Sequence, residues 1–234
     1  MKKYDYLIFD IDDTLLDFYS TFLHTQECSA QLLGIECNVE FRRLDDRCGW
    51  KAWREEGLDA GGSSADYHNC YTDYIRRHYV YLLDELGVEY DIEKLVSRYV
   101  EAFAESAEPT EPCALDVYKA LASKYRLALA TNGMTEVQKK RVASILPYTY
   151  RLFASENMGV AKPMREYYDS VVSELGCQRE RCLMIGDSIS NDMMGAKKAG
   201  MDVCFYNPKN RPLPEDTECE YVISSLKELT DILL

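Results

Sequence analysis

Apolar and polar positions along this chain fall into two textures, and the change between them marks its organisation. Residues 4–14, 126–132, 181–187, 202–206 and 221–224 are short runs of apolar, β-branched or aromatic side chains, bounded by Gly, Asn, Asp or Pro. Such runs predict strands. Residues 114–124, 134–145, 164–176, 190–199 and 225–233 lie between them with helical spacing; Ala114, Val117, Tyr118 and Leu121, for example, make one apolar stripe. Strands alternating with helices predict a parallel sheet with right-handed crossovers.

Residues 17–107 break that rhythm. Amphipathic stretches over 18–33, 39–56, 65–86 and 91–106 carry no strand signal, and Gly34, Gly57, Gly61-Gly62 and Gly87 mark their stops. The block closes at Glu108-Pro109-Thr110-Glu111-Pro112, where two prolines end any helix. The expected organisation is two domains, a core of residues 1–16 and 108–234 split by an all-helical insertion over 17–107.

Composition narrows the function classes. The net charge is −13, so no basic excess exists to release counterions, and a nucleic-acid polymer is excluded as partner. A small anionic substrate stays open, because a local metal ion reverses the field at one site. The opening Met1-Lys2-Lys3-Tyr4-Asp5 lacks a signal-peptide pattern, and no apolar run approaches the roughly 20 residues that span a bilayer. Nine cysteines without a Cys-x-x-Cys pair read as thiols in a reducing compartment. A cytoplasmic protein with no membrane partner is expected; the oligomeric state is left open.

The chemistry concentrates at strand ends. Phe9-Asp10-Ile11-Asp12-Asp13-Thr14-Leu15 is an acidic knot directly after the apolar run Tyr6–Phe9. Asp is depleted in strands and costly to desolvate, so such a cluster calls for a cation. In extended geometry Asp10 and Asp12 leave the chain on the same side. Thr131-Asn132-Gly133 places a hydroxyl and an amide at the close of a second strand, and Lys162-Pro163 puts one lysine in a Gly/Pro-bounded loop. Gly186-Asp187-Ser188 through Asn191-Asp192 adds two carboxylates after a third buried strand.

In this order, these motifs resemble those of the phosphatase branch of the haloacid dehalogenase-like hydrolase superfamily. The resemblance implies a Rossmann-like α/β parallel sheet core with an inserted all-helical cap domain of type one. It implies Asp10 as nucleophile, Asp12 as general acid and then base, and Thr131, Asn132, Gly133 and Lys162 as the phosphate cradle. It further implies Mg²⁺ held by Asp10, the Asp12 backbone carbonyl and Asp187, with Asp192 as outer ligand or orienting carboxylate; Mn²⁺ would suit the same site. The dehalogenase branch lacks the second carboxylate, so Asp12 favours phosphate-ester hydrolysis.

Specificity would come from the cap, whose hinges are expected near Leu16-Asp17 and Glu108–Pro112. Trp50, Trp53 and Arg54 are candidates for stacking a base or sugar and holding an anion, against a second reading in which the Trp pair packs the cap's own core. The Tyr-rich stretch Tyr67–Tyr81, which contains His68 and carries the stripe Tyr67, Tyr71, Tyr74, Ile75, His78 and Leu82, reads as core packing, and His24 receives no role. The run containing Gln138, Arg141, Ser155 and Glu156 is similar to the pyrimidine 5′-nucleotidase group. A small phosphorylated metabolite, such as a nucleoside 5′-monophosphate, is therefore the expected substrate. A sugar phosphomutase, a phosphoglycolate or sugar phosphatase, and a non-catalytic Mg²⁺-binding regulatory module are the alternatives.

Overall fold

The computed structural model describes residues 3–57, 70–214 and 218–234. Its centre is strand β1 (Tyr6–Phe9), which reads as one continuous apolar run because both of its faces are covered. β1 lies between β2 (Arg126–Thr131) and β4 (Cys182–Gly186). β3 (Thr149–Ala154) continues the sheet on one side, and β5 (Asp202–Tyr206) and β6 (Tyr221–Ile223) continue it on the other. The spatial order is β3-β2-β1-β4-β5-β6, all parallel. Phe9 aligns with Leu129 and Ile185, so three strand ends open into one crevice where the order reverses.

Two-residue alternation sorts the core into two layers. Leu7, Phe9, Leu129 and Ile185 face α5 (Ala114–Leu121) and α10 (Glu228–Leu233), in a cluster with Tyr118 and Leu229. Tyr6, Ile8, Ala130 and Met184 face α8 (Arg165–Leu175) and α9 (Gly195–Lys198), in a cluster with Tyr167 and Ala196.

The structure changes the sequence expectations at several points. The first strand, expected over 4–14, ends at Phe9; beyond it the amides of Leu15 and Leu16 both reach the Ile11 carbonyl at 2.9 Å, and Asp13 takes a positive φ of 58°. β3 was not predicted: it is an edge strand whose Tyr150 and Arg151 are exposed, so it lacks an apolar run. The helix expected over 134–145 is α6 (Thr135–Arg141), the single turn α7 (Ser155–Met158) follows β3, and the helix expected over 190–199 is one π-helical turn (Ile189–Met194) leading into α9.

Between β1 and β2 lie α1 (Phe18–Leu33), α2 (Val39–Glu55), α3 (Cys70–Leu86) and α4 (Ile92–Glu105). They share a core of their own, including Phe41, Ile75, Tyr79, Leu82, Leu95 and Tyr99. Tyr71, Ile75, His78 and Leu82 of the expected stripe are buried, with His78 Nε2 3.0 Å from Asp45 Oδ1; Tyr67, His68 and Gly61-Gly62 lie outside the described residues. Among the described residues, no helix is long and apolar enough to cross a membrane.

The two connections between sheet and helical block run side by side. Asp17 N–H donates to Glu108 O at 2.8 Å, and Thr110 N–H to Leu15 O at 3.1 Å. Asp17 also caps α1, accepting from the amides of Tyr19 and Ser20. Glu111 anchors the return: its carboxylate accepts from Tyr206 (2.6 Å), Ser225 Oγ (2.7 Å) and Leu226 N (3.1 Å). Burial works to raise the Glu111 carboxyl, but these donors outweigh it and hold it below the ordinary glutamate value of 4.5. Its contribution to stability is therefore complete above that value and fades as pH falls through the lowered native one. In urea unfolding, Glu111→Gln should destabilise the protein by about 1–2 kcal/mol at pH 7, with the gap shrinking below about pH 4. An equal gap at both pH values would contradict the ionised anchor.

Candidate active site

At the carboxyl ends of β1, β2 and β4 the chain buries more charge than a core tolerates unpaired. Asp10 follows β1, fixed by its own amide donating to Ile185 O at 2.9 Å. Lys162 Nζ lies 2.6 Å from Asp10 Oδ1 and 2.7 Å from Asp192 Oδ1, and all three side chains are buried. The second Asp192 oxygen accepts from Ser188 N at 3.0 Å. Carboxylate oxygens of Asp10, Asp187 and Asp192 all lie within 4.8 Å of one another.

Local sequence makes this approach possible. A Cβ at Gly186 would collide with the Asp192 carboxylate, so only glycine lets the π-helical turn bring Asp192 against β4. A Cβ at Gly195 would lie 2.7 Å from the Tyr168 ring and 3.1 Å from Pro163, so glycine also lets α9 close on the Lys162 loop. That loop is pinned by Asn132, whose side chain accepts from Lys162 N and donates to Lys162 O, each at 2.9 Å.

Electrostatics shows what the site lacks. Burial first, and then the Asp192 charge, push the Asp10 carboxyl well above its ordinary range, with Lys162 opposing. Burial alone would lower the Lys162 ammonium, but Asp10 and Asp192 outweigh it and hold it above the usual lysine range. Asp187 is pushed up to about 6 by burial and by Asp192 and Asp13, with Arg211 opposing. Lys162 and Arg211 bring two positive charges to three close carboxylates, which leaves negative charge uncompensated. The donor set is oxygen-only and fits a hard divalent cation.

The expected site residues do not all converge. Asp10, Lys162, Asp187 and Asp192 do, and Thr131 is buried at the end of β2. Asp12 lies three residues past the end of β1. Its carboxylate lies outside the acid cluster, gripped by Arg141 Nη1 on Oδ1 (2.5 Å) and Gln138 Nε2 on Oδ2 (2.8 Å). Gln138 Nε2 also reaches Thr131 Oγ1 at 3.1 Å. The Asn132 side chain is committed to the lysine loop, and the Gly133 amide donates to Ser155 Oγ at 3.0 Å, so neither group is presented to a ligand.

In the helical block, Trp50 is 61% exposed and Arg54 is on the surface. Trp53 packs edge-on against Tyr74, with centroids 5.3 Å apart, in a cluster with Tyr71, Met134 and Ala161. Sequence reasoning gave no role to Gln138 and Arg141, although three-residue spacing on α6 puts both on one face. It missed Arg211, whose Nη2 lies 2.5 Å from Asp187 O and 3.2 Å from Asp187 Oδ2; that loop carries no periodic signal.

This fold and acidic site define a hydrolase, and the chain belongs to the haloacid dehalogenase-like hydrolases, whose family model matches residues 4–200. The HAD-hydrolase YfnB of Bacillus subtilis is 31% identical, covering 100% of this chain and 97% of its own. A crystal structure of YfnB bound to magnesium superposes with a TM-score of 0.83 at 29% identity over 99% of both chains. The pyrimidine 5′-nucleotidase PynA of Streptococcus pneumoniae is 29% identical over 98% of this chain and 95% of its own. The pyrimidine 5′-nucleotidase YjjG of Escherichia coli is 28% identical over 99% and 98%.

Gly186→Ala should displace Asp192 and with it Lys162. Thermal denaturation with and without Mg²⁺ should show about 1–3 kcal/mol lost from the folded state and a diminished Mg²⁺-dependent rise in Tm. An unchanged response to Mg²⁺ would separate the metal site from this close approach.

Proposed function

We propose that this protein is a Mg²⁺-dependent phosphomonoesterase that works through an aspartyl-phosphate, with a nucleoside 5′-monophosphate as substrate. The observation that carries the reading is the buried Lys162 bridge between Asp10 and Asp192, beside a second carboxylate, Asp12, held separately. A structural ion pair has no use for that second, differently held acid.

In this reading Asp10 attacks phosphorus, the bond from phosphorus to the leaving oxygen breaks, and Asp12 gives that oxygen its proton. Water then attacks the aspartyl-phosphate, losing a proton to Asp12, and Asp10 is regenerated as phosphate leaves. Thr131, the Asn132 backbone amide and Lys162 hold phosphoryl oxygens. Mg²⁺, when bound, neutralises the repulsion between carboxylate and phosphate dianion; Asp10, Asp187 and the Asp12 backbone carbonyl would hold it. Asp192 has both oxygens engaged by Lys162 and Ser188 and serves to orient the lysine.

Residues 17–107 act as the cap over this crevice and residues 1–16 and 108–234 as the core, with hinges at the paired linkers. The nucleotide assignment draws on PynA and YjjG, both pyrimidine 5′-nucleotidases similar over nearly their whole length. Trp53, in the cluster beside Ala161 and Met134, is the better placed of the two tryptophans to meet a base.

Phosphate release from nucleoside monophosphates, sugar phosphates and phosphoglycolate, with Mg²⁺ and with chelator, tests the reading. Release that needs Mg²⁺ and is fastest with pyrimidine monophosphates is expected. Broad, weak release would discard the nucleotide, and none at all would overturn the phosphatase. Asp10→Asn should cut turnover to at most about one-thousandth while the circular dichroism spectrum is kept. Appreciable hydrolysis by that variant would sink the nucleophile assignment.

A further inference from the structure

Arg141, the last residue of α6, is only 2% exposed, and each of its nitrogens is engaged. On the sheet side, Nη1 holds Asp12 Oδ1 at 2.5 Å and Gln138 Oε1 at 3.0 Å. On the side of the helical block, Nη2 donates to Thr21 Oγ1 of α1 at 3.0 Å, and Nε donates to Ser106 O, just past α4, at 3.0 Å. The guanidinium lies 4.6 Å over the Phe103 ring of α4. A tie between two packed helices needs no buried cation, and apolar side chains would make it without the desolvation cost. What the cation uniquely supplies is a planar fork that grips a carboxylate and other acceptors at fixed angles.

Gln138 completes the grip on Asp12. It occupies the second Asp12 oxygen and touches Thr131, and Gly133 leaves it room: a Cβ there would sit 3.0 Å from Gln138 Nε2. Both oxygens of Asp12 are thus set by α6, and the side chain that sets one of them is itself seated on α1 and α4.

We propose that Arg141 is a positioning residue for Asp12 and ties the delivery of the leaving-group proton to the seating of α1 and α4 on α6. The proposal rests on the reading of Asp12 as general acid. Without Arg141, the Asp12 carboxylate loses its fixed orientation while the Asp10, Lys162 and Asp192 cluster remains intact. Phosphoryl transfer from a poor leaving group then suffers, and transfer from a good one, which needs no proton, does not.

The test is kcat/KM for the best alkyl phosphate of the panel against p-nitrophenyl phosphate, in Arg141→Met, Arg141→Lys, Thr21→Val and Asp12→Asn. Arg141→Met should lose about 100-fold on the alkyl ester and under about tenfold on the aryl ester. Arg141→Lys, which keeps the charge without the fork, should lose selectively to a smaller extent and covers the case in which Arg141→Met fails to fold. Thr21→Val, which leaves Asp12 untouched, should move the ratio in the same direction. Equal losses on both esters in the Arg141 variants, with Asp12→Asn still selective, would overturn this inference alone. An unmoved ratio in Thr21→Val would overturn the coupling to α1. Equal losses in Asp12→Asn itself would instead overturn the general-acid reading beneath it.

Discussion

One ammonium group shared between two buried carboxylates organises this molecule. Lys162 cannot be buried without Asp10 and Asp192, and neither acid can be buried without the lysine. Removing one partner of such a group leaves an uncompensated charge at a cost of about 3–5 kcal/mol. That penalty makes the surrounding geometry obligatory: the Asn132 clasp on the lysine backbone, the Gly186 gap beneath Asp192 and the Gly195 gap beneath the Lys162 loop all serve the same bridge. Three acids still exceed the two cations, Lys162 and Arg211, that meet them, and the oxygen-only set fits a hard divalent cation.

The sheet gives that arrangement its rigidity. Asp10 belongs to the end of β1, Thr131 to β2 and Asp187 to the chain just beyond β4, and the parallel pairing holds these ends level. Both faces of β1 are buried, so a one-residue slip would push Phe9 and Ile8 into each other's differently packed layers. The acid and hydroxyl positions thus sit at the ends of strands that are paired on both sides.

Much of this was legible in the amino-acid order, for a physical reason. Strands buried on both faces read as unbroken apolar runs, so β1, β2, β4 and β5 announce themselves, and the edge strand β6 does so only through its short apolar run Tyr221–Ile223, despite an exposed Val222. β3 did not, because an edge strand with exposed Tyr150 and Arg151 has no such run. Acid, lysine and hydroxyl positions were legible because they interrupt apolar texture; the partners of the Asp12 carboxylate were not, since they lie more than a hundred residues away. Trp50 and Trp53 look equivalent in sequence, yet one faces solvent and the other packs.

The paired linkers have a consequence for the history of such a chain. The strand of backbone leaving the sheet at Leu15–Asp17 and the one returning at Glu108–Thr110 are hydrogen-bonded to each other. To the sheet, everything between them is a loop whose ends meet, and lengthening a loop adds closure entropy only logarithmically. The helical block therefore occupies a socket: blocks of other sizes and shapes could be spliced there, and the strand ends carrying Asp10, Thr131 and Asp187 would keep their relative positions. On the proposed reading of block and site, recombination at this socket would exchange one substrate preference for another while leaving the strand-end residues unaltered.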